Sequence, residues 1–185
     1  RQIAFAPSLP SHKQDAFDRV FMGDGIKIFV AFKERFYPVI LAFGGIFQAL
    51  REEEKFVYDA AFGKSSDNHV LGLFAINDKA AAYTSLGTEQ AIIEHFLTEL
   101  DEIFDGKASQ HYIKHIIQNW SKEPYIRGAY AYAIDGKKKQ VIPTLQEPID
   151  NKVFFAGEAL SIDNQAMVHG ACESAYQAAA TMITT

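Results

Sequence analysis

Cysteine is almost absent from this chain of 185 residues, in which Cys172 is the single example. A lone cysteine cannot form an intramolecular disulfide, and it excludes zinc or iron–sulfur sites built from cysteine clusters. His111 and His115 would share one face of a helix or of a strand, but no clear third ligand accompanies them. We therefore expect no metal site, and the low cysteine content fits a reducing, cytoplasmic compartment.

Basic charge and long apolar runs are also scarce. The formal net charge is -5 at pH 7, and because nucleic acids and anionic membranes select basic patches, neither is expected as a partner. The basic cluster Lys137 to Lys139 follows Asp135–Gly136, a pair typical of turns, and we predict the solvated tip of a hairpin there. The longest apolar run, Val39 to Phe47, contains Gly44–Gly45 and is far shorter than the roughly 20 residues that span a bilayer.

Several segments have the composition of β-strands. Ile26–Phe32 is rich in β-branched and aromatic residues, and Lys27 within it should project from one face of a strand. Turns rich in polar residues or glycine separate further strand candidates at residues 39–47, 56–62 and 69–76, and a short one at 153–156 lies near the end of the chain. Several of these strands are predicted to share one antiparallel or mixed sheet.

Residues 88–105 predict an amphipathic helix. Apolar side chains recur there at spacings of three and four residues, with acidic residues mostly between them. Thr88 can cap the start by accepting a backbone N–H bond, and Gly106 stands where a left-handed residue commonly ends a helix. Together with the strands, this helix predicts an α+β fold.

The pattern FFAGEALS at residues 154–161 precedes a helix of small side chains that is predicted to begin near Ala166. Gly157 would let a ligand approach the backbone, the Glu158 carboxylate could accept bonds from hydroxyl groups, and the first turn of the helix would present free N–H groups to an anion or a polarised carbonyl. The same residues fit an ordinary strand and turn before a close-packed helix, so the pattern alone leaves both interpretations open. One apolar face is expected on this helix, formed by Val168, Ala171, Cys172, Ala175, Ala179 and Met182.

The segment FFAGEALSIDNQAMVHGACESAYQAA resembles the C-terminal signature of the flavin-dependent amine oxidases, the family of monoamine, polyamine and L-amino acid oxidases. The resemblance implies that FAD is the cofactor. It also implies that Gly157 and Glu158 contact the pyrophosphate–ribitol part of FAD, and that the backbone around Met167 and Val168 faces a carbonyl group of the flavin pyrimidine ring.

Two further segments are similar to the family and occur in the same order. SLPSHKQDAFDRVFMGDGIKIFVAFKERFYP places Lys27 on the lysine that, in the family, holds a water near flavin N5. An ammonium group there could stabilise negative charge as electrons move. NWSKEPYIRGAYAY places Trp120 near the flavin and Tyr130 on one side of the substrate cage. The resemblance thus implies catalytic roles for all three residues, and Tyr130 would also contact the substrate.

The sequence departs from the family at two places. Met167 stands where monoamine oxidases have a second cage tyrosine, so Met167 is expected to be a wall of the substrate pocket, and the substrate could be a polyamine, an amino acid or another amine. The G-x-G-x-x-G loop that opens the family's FAD domain is missing. We therefore expect a piece of a longer protein, with a mixed-sheet substrate-binding portion flanked by helices at residues 1–119 and the C-terminal portion of a Rossmann-like FAD-binding domain at residues 120–185.

The resemblance implies an oxidoreductase that transfers a hydride equivalent from the carbon next to an amine nitrogen to flavin N5. The imine product hydrolyses, and molecular oxygen reoxidises the flavin to give hydrogen peroxide. Flavoproteins that desaturate carotenoids or oxidise protoporphyrinogen share the Gly-Glu ending and are one alternative, and a non-catalytic binding domain derived from this fold is another. A piece of such an enzyme should expose an apolar patch and either form a homo-oligomer or pair with the N-terminal region.

Overall fold

The structure is a computed structural model that describes residues 3–38, 42–43, 55–65, 67–133 and 138–184. Its helices and antiparallel strands confirm the predicted α+β class. Short 3-10 turns lie at Trp120–Lys122 and Glu158–Leu160. In chain order the helices and strands are α1 (Ser11–Phe17), β1 (Val20–Met22), β2 (Gly25–Phe32), β3 (Ala42–Phe43), β4 (Lys55–Asp59), β5 (His69–Ile76), α2 (Asn77–Thr84), α3 (Glu89–Phe104), α4 (Lys107–His111), β6 (Tyr112–Asn119), β7 (Ala131–Ala133), α5 (Lys138–Gln146) and α6 (Val168–Thr184).

The chain divides into two compact units, which we call the sheet unit, Asp24–Ala129, and the terminal unit, Arg1–Gly23 with Tyr130–Thr185. These bounds differ from the predicted division into residues 1–119 and 120–185. The physical reason is that β1 pairs with β7 and α1 packs against α5, so both ends of the chain belong to one unit. The assignment of substrate and FAD roles to parts of the chain stays a prediction.

The sheet unit is built on five strands in the order β3-β4-β5-β2-β6, and every described pairing between them is antiparallel. β2 lies between β5 and β6 and is paired with both along nearly its whole length. An apolar, β-branched strand is stable in this position because both of its edges are hydrogen-bonded. The strands predicted at residues 26–32 and 69–76 are confirmed.

One face of this sheet forms the core with the helices. Alternate residues of β2 are fully buried, as expected for a strand with one covered face. Burial of apolar surface contributes about 25 cal/mol per Å², which makes this cluster the main source of stability in the unit. Its buried members are Ile26, Ile28, Val30, Phe32, Tyr37, Val57, Leu71, Leu73, Ala75, Ala80, Tyr83, Ile92, Ile93, Phe96, Leu100 and Ala108.

Helix α3 is the amphipathic helix predicted over residues 88–105. The Thr88 side chain accepts a hydrogen bond from the Ala91 N–H group at 3.2 Å, which confirms the predicted cap. The left-handed end begins one residue earlier than predicted, because Asp105 already has a φ of 52°, and Gly106 follows with a φ of 78°.

A charged cluster connects β4, α2 and α3. The Lys55 ammonium nitrogen lies 2.6 Å from each carboxylate oxygen of Glu99, and the Tyr83 hydroxyl also donates to Glu99. Tyr83 is fully buried, and burial together with this hydrogen bond raises its pKa. The hydroxyl therefore stays protonated as a donor well above neutral pH, and the cluster links both helices to the sheet.

A buried lysine connects α1 to α5 in the terminal unit. Lys13 is 1% exposed, and its ammonium group donates to the carbonyl oxygens of Thr144 at 2.9 Å, Leu145 at 3.0 Å and Glu147. The last carbonyl groups of a helix lack intrahelical donors and carry the negative end of its dipole. The Lys13 ammonium group supplies these carbonyl groups with donors and places a positive charge at the negative end of the dipole. Burial lowers the pKa of Lys13, and the Glu147 carboxylate opposes that shift.

Two predictions near the C-terminal part of the chain are wrong. Lys138 and Lys139 begin α5, so they are not the tip of a hairpin, whereas Lys137 lies outside the described residues. The strand predicted at 153–156 is reduced to an isolated bridge between Val153 and Ile149. In both places the sequence pattern was local, whereas the observed structure depends on packing between distant segments.

The remaining bounds differ by small amounts. The strand predicted at 56–62 ends at Asp59, because a turn follows from Ala60. The run at 39–47 lies outside the described residues except for β3. The last helix begins at Val168, two residues later than predicted, because Ala166 has a left-handed φ of 68°. None of the described helices is long and apolar enough to cross a bilayer.

Replacing the buried lysine tests its role in the terminal unit. We expect Lys13→Met to lower the free energy of unfolding by about 2–4 kcal/mol, because it leaves buried carbonyl groups without a donor. Chemical denaturation monitored by circular dichroism measures the change. Lys139→Met is the matched control, since Lys139 is exposed on α5 and should change stability by less than about 0.5 kcal/mol. Equal effects of the two variants would contradict the role assigned to Lys13.

Tyr37 should make the stability of the sheet unit depend on high pH. Burial, supported by Asp59 and opposed by Arg35, raises the pKa of Tyr37 to about 12. An unfolded tyrosine ionises near about pH 10, so the unfolded state loses its proton first, and the free energy of unfolding should fall as the pH rises from about 10 through about 12. Tyr37→Phe should reduce this slope in denaturation curves, and the remainder comes from Tyr83 and Tyr58, whose pKa values burial also raises. Tyr125→Phe, at a position that is 98% exposed, should retain the whole slope.

Candidate functional site

The sheet face opposite the core carries the predicted lysine. Lys27 of β2 is paired with Phe74 of β5 and with Gln118 of β6, and Phe74 is paired with Phe56 of β4. Residues directly opposite each other on neighbouring strands project to the same face. We call the resulting surface the Lys27 face, formed by Lys27, Phe29, Phe56, Tyr58, Phe74 and Gln118, all of which are half-buried.

Aromatic rings dominate this face. The Lys27 ammonium nitrogen lies 5.7 Å from the centroid of the Phe74 ring, within the range of a cation–π contact. Phe29 and Tyr58 meet edge to face at 6.5 Å, and Tyr58 stacks on Phe56 at 5.7 Å. Burial raises the pKa of Tyr58, so its hydroxyl stays neutral. The face therefore carries the ammonium group of Lys27 among four aromatic rings, those of Phe29, Phe56, Tyr58 and Phe74.

Trp120 lies at the end of the sheet where Lys27 is found. It begins a 3-10 turn two residues after Gln118, the residue paired with Lys27. The Ser121 hydroxyl in this turn accepts a hydrogen bond from the Gly25 N–H group at 3.2 Å. The turn is thus tied to the first residue of β2, and the structure brings the two predicted residues Lys27 and Trp120 to the same end of the β2–β6 pair.

Gly157 lies in the terminal unit, where a buried serine fixes its backbone. The Ser174 side chain accepts a hydrogen bond from the Gly157 N–H group at 2.9 Å, and its oxygen is 2.8 Å from the Gly157 carbonyl oxygen, to which it can donate. Gly157 has a φ of 149°, and a Cβ atom built on it would meet no atom within 4 Å. The backbone there is therefore open to close approach by a ligand.

The Glu158 carboxylate bonds to the backbone of two distant segments. Its Oε1 atom accepts a hydrogen bond from the Ala131 N–H group, and its Oε2 atom accepts one from the Ala166 N–H group, each at 2.8 Å. Ala131 begins β7, and Ala166 lies in the turn before α6. No sequence pattern indicated these two bonds, and the predicted contact of Glu158 with FAD stays a prediction.

Tyr130 is the residue directly before this bonded amide. The carbonyl oxygen of Tyr130 accepts a hydrogen bond from the Gly23 N–H group at 3.1 Å. The Tyr130–Ala131 peptide group is therefore bonded on both sides, through its oxygen to the chain beside β1 and through its nitrogen to Glu158. These bonds fix the backbone position of Tyr130, and the Tyr130 side chain is half-buried.

The N-terminus of α6 is exposed, and the turn at Asn164 packs closely against the first turn of this helix. Met167 is 53% exposed and Val168 is 90% exposed, and the first N–H groups of a helix have no intrahelical acceptors. Behind them, a Cβ atom at Gly170 would lie 2.0 Å from the carbonyl oxygen of Asn164. The turn at Asn164 thus packs directly on the helix at its one buried glycine, and the end of the helix remains accessible.

The face of α6 that is buried differs from the predicted apolar face. Gly170 and Ser174 are buried, whereas Val168, Cys172 and Met182 are exposed. Small polar and glycine residues contact the turn because they allow close approach, and the larger apolar side chains face outward.

The histidine pair considered as a metal site is separated by its contacts. His111 ends α4 and stacks on Phe36 with 6.1 Å between ring centroids. His115 lies in β6, where it contacts the Tyr112 hydroxyl at 2.6 Å and the Glu89 carboxylate at 3.2 Å. Within the described parts of the chain, no group of three or more histidine, cysteine or acidic residues is placed to hold a metal ion.

A cavity in the terminal unit involves none of the predicted residues. Its volume is about 620 Å³, and apolar side chains dominate its walls. The lining residues are Ile3, Ala4, Phe5, Ser8, Leu9, Gln14, Phe17, Asp18 and Phe155.

Comparison with known proteins identifies the family. The family model described as flavin containing amine oxidoreductase matches residues 1–183. The chain belongs to the flavin-containing amine oxidoreductase family. Probable polyamine oxidase 4 of Arabidopsis thaliana is 27% identical over 91% of this chain and 33% of its own length. Lysine-specific histone demethylase 1 homolog 1 of Oryza sativa subsp. japonica is 26% identical over 98% of this chain and 22% of its own length.

Solved structures show the same fold. Cyclohexylamine oxidase from Brevibacterium oxydans IH-35A superposes with a TM-score of 0.75 and 22% identity over 99% of this chain and 40% of its own. A wild-type putrescine oxidase bound to putrescine gives a TM-score of 0.74 and 20% identity over the same shares. This chain thus spans about a third or less of the curated relatives described above and two fifths of these solved chains.

Membership in the flavin-containing amine oxidoreductase family confirms the predicted class and FAD as the cofactor of that class. The terminal unit fits part of a flavin site in two respects. The backbone of Gly157 is open, and the N-terminus of α6 at Met167 and Val168 is exposed, where the positive end of the helix dipole favours a negative or polarised group. The roles of these three residues, and those of Lys27 and Trp120, remain predictions.

The sequence missed the neighbours of Lys27. Phe56, Tyr58 and Phe74 were identified only as members of apolar runs, yet the pairing of β4, β5 and β2 brings them to one face. Gly72 carried a usable signal, because a glycine within a strand often marks a close approach. A Cβ atom there would lie 2.7 Å from the Tyr58 ring, which covers this position.

Gly170 provides a test of the support behind α6. An exposed helical position gains about 1 kcal/mol when glycine becomes alanine. We expect Gly170→Ala to lower the free energy of unfolding instead, by about 1–3 kcal/mol, because the methyl group would overlap the Asn164 carbonyl oxygen. Thermal and chemical denaturation measure the sign. Ala175→Gly, at an exposed position of the same helix, reports helix propensity alone, and a stabilised Gly170→Ala variant would refute the close contact.

Proposed function

We propose that this chain is the C-terminal part of an FAD-dependent enzyme that oxidises a C–N bond of an amine or amino acid, with imine and hydrogen peroxide as products. The observation that carries the proposal is Lys27, a cation on an aromatic sheet face in a chain of the flavin-containing amine oxidoreductase family. Relatives named as polyamine oxidases and a structural neighbour bound to putrescine support a small amine as substrate.

The proposed roles divide between cofactor and protein. Bound FAD supplies the acceptor for the hydride equivalent that leaves the carbon next to nitrogen. Lys27 supplies a positive charge that can hold a water molecule by hydrogen bonding and stabilise negative charge that develops beside it. The Phe74 ring, whose centroid lies 5.7 Å from the ammonium nitrogen, covers one side of that group, and a less polar surrounding strengthens the electrostatic effect of a charge.

The charge on Lys27 also bears on the protonation state of the substrate. A protonated amine next to Lys27 would be repelled, because two like charges a few ångströms apart in a partly dry site interact strongly. The aromatic rings of the Lys27 face instead suit the hydrocarbon part of a neutral amine. We therefore propose that the amine reacts in its neutral form. In the terminal unit, Tyr130 and Met167 are the proposed substrate contacts that the family resemblance implies.

The exposed side of α6 supports pairing with more protein. Val168, Tyr176, Met182 and Ile183 are 90%, 76%, 52% and 85% exposed. Large apolar side chains that cluster on one helix in this way mark interaction surfaces. We propose the N-terminal region of the complete protein as the partner, with a homo-oligomer as the alternative.

A lysine substitution in the complete protein tests the proposed chemistry. We expect Lys27→Met to lower kcat for amine oxidation by about 10²–10³-fold, because a preorganised charge is lost. The flavin absorbance of the purified variant should be unchanged. Lys33→Met, at an exposed position just after β2, is the matched control and should retain wild-type kcat.

Other outcomes distinguish the alternatives. A complete protein that retains FAD but gives no peroxide with any amine, and instead oxidises a carotenoid or a porphyrinogen, would favour the desaturase or protoporphyrinogen oxidase class. A complete protein that holds no flavin after mixing with FAD and desalting would favour a non-catalytic binding domain and would overturn the proposal.

A further inference from the structure

We propose that Glu158 is a positioning residue that holds the backbone beside Tyr130 and the backbone beside Met167 at a fixed separation. The two hydrogen bonds of its carboxylate carry the inference. Its consequence for substrate selection rests on the proposed function, in which Tyr130 and Met167 contact the amine. The positioning itself rests only on the geometry of the terminal unit.

The first bond of Glu158 completes the fixation of one peptide group. The Tyr130 carbonyl oxygen is bonded to the Gly23 N–H group at 3.1 Å, and Glu158 Oε1 receives the Ala131 N–H group at 2.8 Å. Ala131 is 1% exposed, so water cannot replace this acceptor. Loss of the carboxylate would leave a buried N–H group unsatisfied directly after Tyr130.

The second bond holds an unfavourable backbone conformation. Ala166 has a φ of 68°, a left-handed value that costs an alanine roughly 1–2 kcal/mol. Its N–H group donates to Glu158 Oε2 at 2.8 Å. The next residue is Met167, whose own N–H group bonds back to the Asn164 carbonyl oxygen at 3.2 Å. Glu158 therefore stabilises the turn before α6, and this turn determines the position of Met167.

A carboxylate of this length suits the task better than similar side chains. Ionised glutamate has two acceptor oxygens and no donor, so it can receive both amides with charge-assisted bonds. Glutamine would direct its NH₂ group at one of the two N–H groups. Aspartate is one methylene shorter, so it would reach both amides only if the backbone moved.

Amide hydrogen exchange on this chain tests the two bonds without any cofactor. We expect Glu158→Gln to raise the exchange rate of the Ala131 amide, the Ala166 amide or both by about tenfold or more, because a charge-assisted acceptor is lost. NMR resolves the individual amides. Asp163→Asn is the control, since Asp163 is exposed in the same turn region and its substitution makes the same change in charge. A folded Glu158→Gln variant with unchanged exchange at both amides would overturn the proposal.

A second substitution separates positioning from a general loss of stability. Ala166→Gly removes the cost of the left-handed φ, since glycine adopts it freely. The stability lost in Glu158→Gln should therefore be recovered in part in the double variant, while faster exchange at Ala131 persists. If Glu158→Gln alone does not fold, exchange is measured in the Ala166→Gly background. If Ala166→Gly does not reduce the stability loss caused by Glu158→Gln, the role proposed for the bond between Glu158 and the Ala166 N–H group is contradicted.

Kinetics on the complete protein test the consequence for substrates. We expect Glu158→Gln to retain flavin absorbance and to change the ratio of kcat/KM between a slim and a bulky amine by about fivefold or more, mainly through KM, since the cage residues would shift. Loss of flavin with unchanged amide exchange would mean that Glu158 contacts the cofactor directly, and the positioning role would fall. A wild-type protein without flavin would overturn the proposed function, and the exchange data would still decide the role of Glu158.

Discussion

The register of β2 is the constraint on which the sheet unit depends. Because side chains of a strand alternate between two faces, the pairing of Lys27 with Phe74 and Gln118 fixes both the core and the Lys27 face at once. A slip of one residue would direct Lys27 into an apolar core and Ile26 and Ile28 out of it. Burying an unpaired ammonium group costs several kcal/mol, so the core selects the register, and the register presents the lysine.

The terminal unit is held by a different kind of interaction. Its described part contains only six buried apolar residues, compared with sixteen in the sheet unit. Single polar side chains that bond to backbone groups fix its loops instead: Lys13 at the end of α5, Ser174 at Gly157 and Glu158 at two amides. Such bonds are directional, so they determine loop geometry more closely than a small apolar cluster can.

Local patterns predicted the parts of the chain whose structure is decided locally. The strand at Ile26–Phe32 and the helix capped by Thr88 follow from periodicity and capping. The hairpin expected at Lys137 to Lys139 and the strand at 153–156 failed, because contacts between the two ends of the chain override local preference there. For the same reason, local patterns predicted only part of the candidate site. The sequence identified Lys27, but its aromatic neighbours come from three strands, and the bonds of Glu158 join residues that are 27 and 8 positions away.

The small core and the outward face of α6 have one common explanation. A helix with Val168, Tyr176 and Ile183 in water loses the free energy that their burial would contribute, about 25 cal/mol for each Å² of apolar surface. Buried contacts of α6 instead use Gly170 and Ser174, which permit close approach to the turn but add little apolar area. The pairing proposed above would cover the side chains farther along α6, Tyr176, Met182 and Ile183. The polar bonds of the terminal unit act separately, at Gly157 and at the turn before α6.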